Sequence, residues 1–342
     1  MRVVKANAKL VKHNMPAYKF IERVGRTCYK SEGSITPESA VKFVQALTKN
    51  GHFAMLEHEY LYLEAHEFWI MDVFVENTKK SFLKYLNIRD KYASGSFRAW
   101  IEFFENTKRY RINRKSYKAV DDSANADDLY KTIYQIFAKK YPEVFCDEYW
   151  ILKSVSKKEF KNLIKMISRD DLLKAEILFH RDAIISALLP HTILFTCDRG
   201  VSHELVRHRP AAFAQESTRY CNYSKDKFDN QVVFIEPCFW PDHDSVKYRL
   251  WKDLCDQAET AYFELLNEGA TPQEARGVLP NSTKTEIFVT ATEDEWKHIL
   301  NLRYIGTTGA PHPQMLEVMN IAYPQLVVAS DNRLKIKKKK NK

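Results

Sequence analysis

No run of eighteen apolar residues occurs in the 342-residue sequence, so no stretch of it reads as a membrane-spanning helix. The first residues, MRVVKANAKLVKHNMP, lack the apolar core of a signal peptide, and a soluble, cytoplasmic protein is expected. The six cysteines, at 28, 146, 197, 221, 238 and 255, form no Cys-x-x-Cys pair and no zinc-type spacing; in a cytosolic chain they are expected as reduced thiols. Acidic residues are absent from 333–342, where seven cations gather. Taking those seven from the formal charge of +9 leaves +2 for the other 332 residues. The basicity is therefore mostly that of a disordered, solvated tail at 331–342, and a folded nucleic-acid-reading surface is not expected.

What is present describes a folded chain. Apolar residues make up 45% and aromatics 13%, a globular rather than a disordered composition. The length suits one large domain or two smaller ones. Residues 1–30 read as a strand and a helix ending in Arg26-Thr27-Cys28-Tyr29. Thr36 and Pro37 open a second helix, with Val41, Val44 and Leu47 on one face and Asn50-Gly51 as its stop. Residues 59–64 alternate as a strand does. From about 66 to 190 the chain is rich in aromatic and basic residues and reads as mainly helical. Phe97, Trp100, Ile101 and Phe104 make one apolar stripe; Leu129, Ile133, Ile136 and Phe137 make another, and both are expected in the core. Residues 120–128 read as a polar loop.

Beyond 190 the elements are shorter and sharper. Residues 192–197 read as a strand and 230–240 as a short strand with a proline-bounded loop. A helix spans roughly 245–267, up to Gly269. Thr271-Pro272-Gln273-Glu274 and Thr292-Glu293-Asp294-Glu295 are two capping-box patterns. The second opens a helix through Arg303, with Trp296, Ile299, Leu300 and Arg303 on one face. An arginine on such a face either snorkels or pairs with an anion.

The stretch 207–220 organises the rest. Residues 200–209 suit a helix with Asp198 as N-cap, and Pro210 cannot continue it. Arg207, His208 and Arg209 then sit at a helix C-terminus, where the macrodipole favours positive charge; alone, that triplet is as well explained by structure as by function. Ser217 and Arg219 add a hydroxyl and a guanidinium, a pair that grips phosphate. Ser217 has no evident His or Asp relay to make it a nucleophile. The turn Gly51-His52-Phe53-Ala54-Met55-Leu56-Glu57-His58 is either punctuation or a ligand site; no matching ligand set follows, and no metal is expected.

Together these motifs resemble a known family. Arg207-His208-Arg209, the seven residues 210–216, Ser217, then Arg219-Tyr220 resemble the signature of flavin-dependent thymidylate synthases. Gly51-His52 leading to Glu57-His58 resembles a second motif of that family. Arg276-x-x-Leu279-Pro280, a strand, then His298-Ile299-Leu300-x-Leu302-Arg303 resemble its C-terminal half. Ala310-Pro311-His312-Pro313-Gln314 with Glu317 is a looser match, and residues 95–100 a weak one. The likeness covers roughly residues 20–65 and 191–325. Ala54 stands where members often carry Ser or Thr, and Thr292 where Asn is usual. Gln215 and Glu204 stand where the family often has Glu and Gln.

The resemblance implies an α+β fold, an antiparallel or mixed sheet packed by helices. It implies one domain over 1–330, interrupted by a large mainly helical insertion at about 66–190. The reaction implied is reductive methylation of dUMP to dTMP, with methylenetetrahydrofolate as carbon donor and NADPH reducing a bound FAD, in homotetramers with shared active sites. Arg303 is then the catalytic candidate, set against the pyrimidine to favour ionisation at N3. Glu204, Arg207, Gln215, Ser217, Thr218, Arg219, Arg276 and Arg303 fall to dUMP. His52, Ala54, Glu57, Arg207, His208, Arg209, Gln215, Thr292 and His298 fall to FAD. Flavin-independent synthases use a cysteine nucleophile whose motif is absent here; Cys221 is the one thiol close to the signature. Two other readings stay open: a nucleic-acid-binding or inactive homologue, and a flavin-dependent methylase acting on another uridine nucleotide such as UMP.

Overall fold

The computed structural model describes residues 1–66, 86–114, 123–148, 164–177, 180–225 and 228–336. Its strands, in chain order, are β1 (Arg2–Val4), β2 (Asn7–Val11), β3 (Tyr60–Ala65), β4 (Leu86–Arg89), β5 (Tyr92–Ser96), β6 (Ile164–Ile167), β7 (Pro190–Asp198), β8 (Ala212–Gln215), β9 (Val233–Ile235) and β10 (Lys284–Thr292). They divide between two compact units. One comprises Met1–Asn14, Arg23–Ile35 and His191–Lys342; the other comprises Met15–Glu22 and Thr36–Pro190. Helices and antiparallel sheets are mixed in both, as the α+β expectation has it.

The first unit is built on a four-stranded sheet in the order β2-β7-β10-β8. β2 and β7 run antiparallel, with Ala8 opposite Phe195 and Leu10 opposite Ile193. β8 and β10 are also antiparallel, with Ala214 opposite Phe288. β10 is buried along almost its whole length, which is why its sequence runs Ile-Phe-Val-Thr-Ala-Thr without polar alternation. Ile193, Phe195, Val289 and Ala291 of this sheet share a core with Trp296, Ile299 and Leu300 and with Met315, Val318 and Leu326. The last three lie on the Pro313–Ala329 helix. Gln325 ties that helix to β2: its Oε1 accepts from Leu10 N at 2.8 Å and its Nε2 donates to Ala8 O at 2.9 Å. The Val246–Asn267 helix begins at Ser245, whose hydroxyl accepts from Tyr248 N. Gly269 ends it with φ of 91°, in the left-handed region that only glycine enters freely.

Residues 331–336, expected in a disordered tail, are packed instead. Leu334 is fully buried, and Ile336 N donates to Tyr323 Oη at 3.1 Å. Arg333 is held by a carboxylate, as shown below. The rest of that tail, 337–342, lies outside the described residues.

In the second unit β4-β5-β3-β6 form one sheet, antiparallel at every pair. The stretch expected to be a mainly helical insertion therefore supplies three strands, and it shares a core with residues 36–65. Leu61 and Leu63 pack with Phe97, Trp100 and Phe104 of the Phe97–Arg114 helix and with Leu129, Ile133 and Phe137 of the Ser123–Lys140 helix. Both apolar stripes are core faces, as expected. β5 (Tyr-Ala-Ser-Gly-Ser) is buried on both faces. Small residues covered on both sides leave no alternation to read. Of the loop expected at 120–128, residues 123–128 belong to a helix, and 120–122 lie outside the described residues. The Ser39–Lys49 helix ends at Asn50 as expected, but its inner face is Ala40, Val44 and Leu47. Val41 is 43% exposed.

Candidate active site

β7 delivers the chain to the signature. Asp198, its last residue, caps the Arg199–Leu205 helix, accepting from Val201 N at 2.8 Å. The helix ends at Leu205, earlier than the sequence suggests. His208 N donates to Leu205 O at 3.2 Å, and a cis Arg209–Pro210 bond follows. This turn sorts the basic triplet: Arg207 and Arg209 are exposed, whereas His208 is only 4% exposed. The Arg209 guanidinium lies over the Phe213 ring, 5.8 Å from its centroid.

The Glu293–Leu300 helix continues through a wider turn, Asn301–Ile305, and that turn aims Arg303 at the signature. Gly306 closes it with φ of 76°, where a Cβ would lie 2.7 Å from Gly309 O. Arg303 Nη1 donates to Glu204 Oε2 at 2.5 Å, Nη2 to Glu204 O at 3.3 Å, and Nε to His208 Nε2 at 3.1 Å. Residues nearly a hundred positions apart thus form one hydrogen-bonded group. Burial, and then the nearby charges of Arg303 and His298, pull the His208 imidazole down to about 4. It is neutral near pH 7, which its acceptor role toward Arg303 requires.

Beside this group stands a residue that the motifs do not name. Glu295 Oε1 is buried and, among the described residues, has no hydrogen-bond partner; the same holds for His208 Nδ1. Burial pushes the Glu295 carboxyl up to about 7. One donor atom from each of His208, Glu295 and His298 lies within 4.8 Å of the others. The His208 and His298 rings meet edge to face at 5.8 Å. Sequence spacing suggested that Glu295 completes a capping box with Thr292. Thr292 is the N-cap by backbone geometry, but its side chain makes no capping bond. Burial beside two imidazoles won over the local pattern. In the sequence, the Glu-x-x-His spacing already puts Glu295 and His298 on one helix face.

The start of the same helix is anchored differently. Glu293 is fully buried. His191 Nε2 lies 2.9 Å from its Oε1, and Arg333 reaches both oxygens at 2.8 and 2.9 Å. Burial raises this carboxyl, but the hydrogen bonds and charges of His191 and Arg333 outweigh it and hold the group below the ordinary range.

A second polar cluster forms around Ser217. Ser217 N donates to Cys28 O at 3.0 Å, and Ser217 O accepts from Cys221 N at 2.9 Å. Arg276 Nη1 reaches Thr218 Oγ1 at 3.5 Å, Arg219 Nε donates to Gln273 Oε1 at 3.1 Å, and Arg219 N lies 3.3 Å from Ser217 Oγ. The structure thus brings Ser217, Thr218, Arg219 and Arg276 close together. Gln215 is engaged elsewhere: its Nε2 donates to Ser202 Oγ at 2.9 Å and Thr285 Oγ1 at 3.2 Å. Glu216 is buried and paired with Lys284 at 3.0 Å and Lys30 at 3.8 Å, and Lys30 also pairs with Glu286. This network fixes the strand end from which Ser217 departs. Cys221 is fully buried, so the one thiol near the signature is closed to a substrate.

His52, Ala54 and Glu57 lie in the second unit. His52 and Ala54 are exposed. Glu57, on the Phe53–His58 turn, accepts from Arg98 Nη1 at 2.5 Å, and Arg98 Nε donates to Glu102 at 2.7 Å.

Among the described residues no helix is long and apolar enough to cross a membrane. The family model described as thymidylate synthase complementing protein matches residues 131–323. The match starts inside the expected insertion and leaves out residues 52–57. The flavin-dependent thymidylate synthase of Pyrococcus furiosus is 35% identical over 107 residues, which is 31% of this chain and 43% of that protein. The enzyme of the same name from Thermococcus onnurineus is 35% identical over 126 residues, 34% of this chain and 48% of that protein. The chain thus spans under half the length of these relatives. A solved structure, the UMP/dUMP methylase PolB of Streptomyces cacaoi with 5-Br dUMP, aligns over 98% of this chain and 96% of its own at 12% identity and a TM-score of 0.39, too slight a likeness to build on. The family match takes in more than half of the chain and both arginines, Arg276 and Arg303; the chain belongs to the thymidylate synthase complementing protein family.

Proposed function

We propose that this protein is a flavin-dependent thymidylate synthase. It methylates C5 of dUMP, with methylenetetrahydrofolate as carbon donor and NADPH as reductant, in a cytoplasmic homotetramer. The observation that carries the reading is Arg303, held by Glu204 and His208 at the end of the signature turn. A guanidinium fixed in this way favours the uracil ring ionised at N3, which makes C5 nucleophilic toward the folate's methylene carbon. Ser217, Thr218, Arg219 and Arg276 form a fork of hydroxyl and guanidinium donors suited to the nucleotide phosphate. Glu204 then acts through Arg303, and Gln215 steadies the strand through Ser202 and Thr285.

The residues suit the flavin that the relatives' names imply. His208 Nδ1 and Glu295 Oε1 are buried without protein partners among the described residues, and such atoms cost about 1–3 kcal/mol each unless a ligand satisfies them. The resemblance assigns to FAD His208 and His298 beside Thr292, with Arg207, Arg209 and Gln215, and it also assigns His52, Ala54 and Glu57 to the cofactor. Bound FAD, once reduced by NADPH, supplies the reducing equivalents that turn the methylene into a methyl group.

The test is mass-spectrometric detection of dTMP from dUMP, methylenetetrahydrofolate, NADPH and FAD. Wild type should form it. Arg303→Ala should lower the rate at least about 100-fold, the scale for removing an electrostatic contact at the reacting group. A flavin-bound wild type that makes no dTMP would overturn the reading and direct attention to UMP.

A further inference from the structure

The neutral His208 ring has one nitrogen in use. Its Nε2 accepts from Arg303 Nε at 3.1 Å, and an arginine does not give up its proton. The ring hydrogen is therefore on Nδ1, which points a buried donor at no partner among the described residues. Glu295 Oε1 is likewise buried with no partner among the described residues, and burial favours the protonated carboxyl there. One ligand atom from each of these two side chains and from exposed His298 lies within 4.8 Å of the others.

Three ligand chemistries can be weighed against that arrangement. A divalent cation needs a lone pair on each ligand atom. For Nδ1 to provide one, His208 would have to move its hydrogen to Nε2 and lose the bond from Arg303. A phosphate would be set against the Glu295 carboxyl, an unfavourable pairing wherever that group ionises. An uncharged conjugated edge with neighbouring nitrogen and carbonyl acceptors meets both donors, and the flavin ring has such an edge.

We infer that Glu295 is a cofactor-binding residue: with His208 it donates hydrogen bonds to the acceptor edge of the flavin ring, while exposed Arg207 and Arg209 face the phosphates. This rests on the flavin reading above. It adds a residue outside the signature and divides the Arg-His-Arg triplet between ring and phosphates.

The full-length protein, stripped of flavin, is titrated by fluorescence with riboflavin and with FAD. Wild type, Glu295→Gln and Glu295→Ala are compared, with unfolding curves as a fold control. Glu295→Ala should weaken riboflavin and FAD by the same factor, about tenfold for one lost hydrogen bond. Glu295→Gln keeps a donor and should stay within about threefold of wild type. Affinities unchanged in Glu295→Ala, or FAD alone bound more tightly, would remove the ring contact. One equivalent of zinc bound by wild type and lost in Glu295→Ala would make the cluster a metal site instead. A wild type that binds neither flavin overturns this inference together with the proposed function. A wild type that binds flavin through Glu295 but makes no dTMP overturns only the function.

Discussion

Glu293 and Glu295 stand two residues apart on one helix and have opposite fates. Around Glu293 every oxygen is spoken for, by His191 and by the Nε and Nη2 nitrogens of Arg333. Its carboxyl sits below the ordinary range despite full burial. Around Glu295 burial has no opponent: one oxygen is without a partner among the described residues, and the group rises to about 7. Burial alone therefore says little about what a carboxyl does; the partners decide the sign. A buried carboxylate saturated by its own protein is an anchor. A buried carboxyl that lacks such partners and faces two imidazoles points to a ligand.

The largest effect that could break this comparison is on stability. Glu293→Ala takes the buried carboxylate from His191 and Arg333, leaving Arg333 its exposed partner Asp331 at 3.4 Å, and loss of one partner of a buried pair costs about 3–5 kcal/mol. Urea unfolding should show that loss. Glu295→Ala should stay within about 1 kcal/mol of wild type, because it removes a group with an unsatisfied atom. Equal losses in the two variants would mean that Glu295 is an anchor too.

What could be read in the sequence was local. Asp198 as a helix cap, the Thr271–Glu274 capping box and the closeness of Ser217 to Arg219 each follow from neighbours within a few positions, and each is found. The spacing from 207 to 220 brought out Ser217 and Arg219, whereas Arg276, at the end of a short helix whose caps are explicit, was singled out by the family resemblance. Illegible were the contacts between distant stretches. His191 and Arg333 lie 102 and 40 positions from Glu293, and nothing near Arg333 distinguishes it from the lysines that follow. Thr292 and Glu295 matched a capping pattern that tertiary burial overrode. Glu204 read as a nucleotide contact, because only the fold reveals that its carboxylate is engaged by Arg303.

A smaller change sharpens the anchor half of the comparison. Arg333→Lys keeps the charge but loses the planar fork that reaches both Glu293 oxygens. It should cost about 1–2 kcal/mol in the same unfolding assay, the worth of a charge-assisted hydrogen bond. A lysine variant as stable as wild type would mean that charge, rather than the paired geometry, holds residues 331–336 in place.

The smallest effect is the dependence of stability on pH, and here the two carboxyls should differ in sign. Glu295 moves from an ordinary 4.5 to about 7 on folding, so the folded state binds its proton more tightly. Its contribution is complete below pH 4.5 and is lost as the pH rises through 7. Glu293 is shifted downward from 4.5; its contribution is present above pH 4.5 and is lost as the pH falls through its lower folded value. His208, lowered from 6.5 to about 4, adds stability as the pH rises over part of the same window, but it is present in wild type and variants alike and cancels when their curves are subtracted. Subtracting the stability curve of Glu295→Gln from that of wild type should give a line falling between pH 4.5 and 7, by about 1 kcal/mol or less because the group is only partly buried. The same subtraction for Glu293→Gln should be flat there and fall only as the pH drops below 4.5. Should the Glu295 line be flat between 4.5 and 7 and fall only in acid, its carboxyl is ionised and paired within the protein, and nothing would remain for it to donate to a ligand.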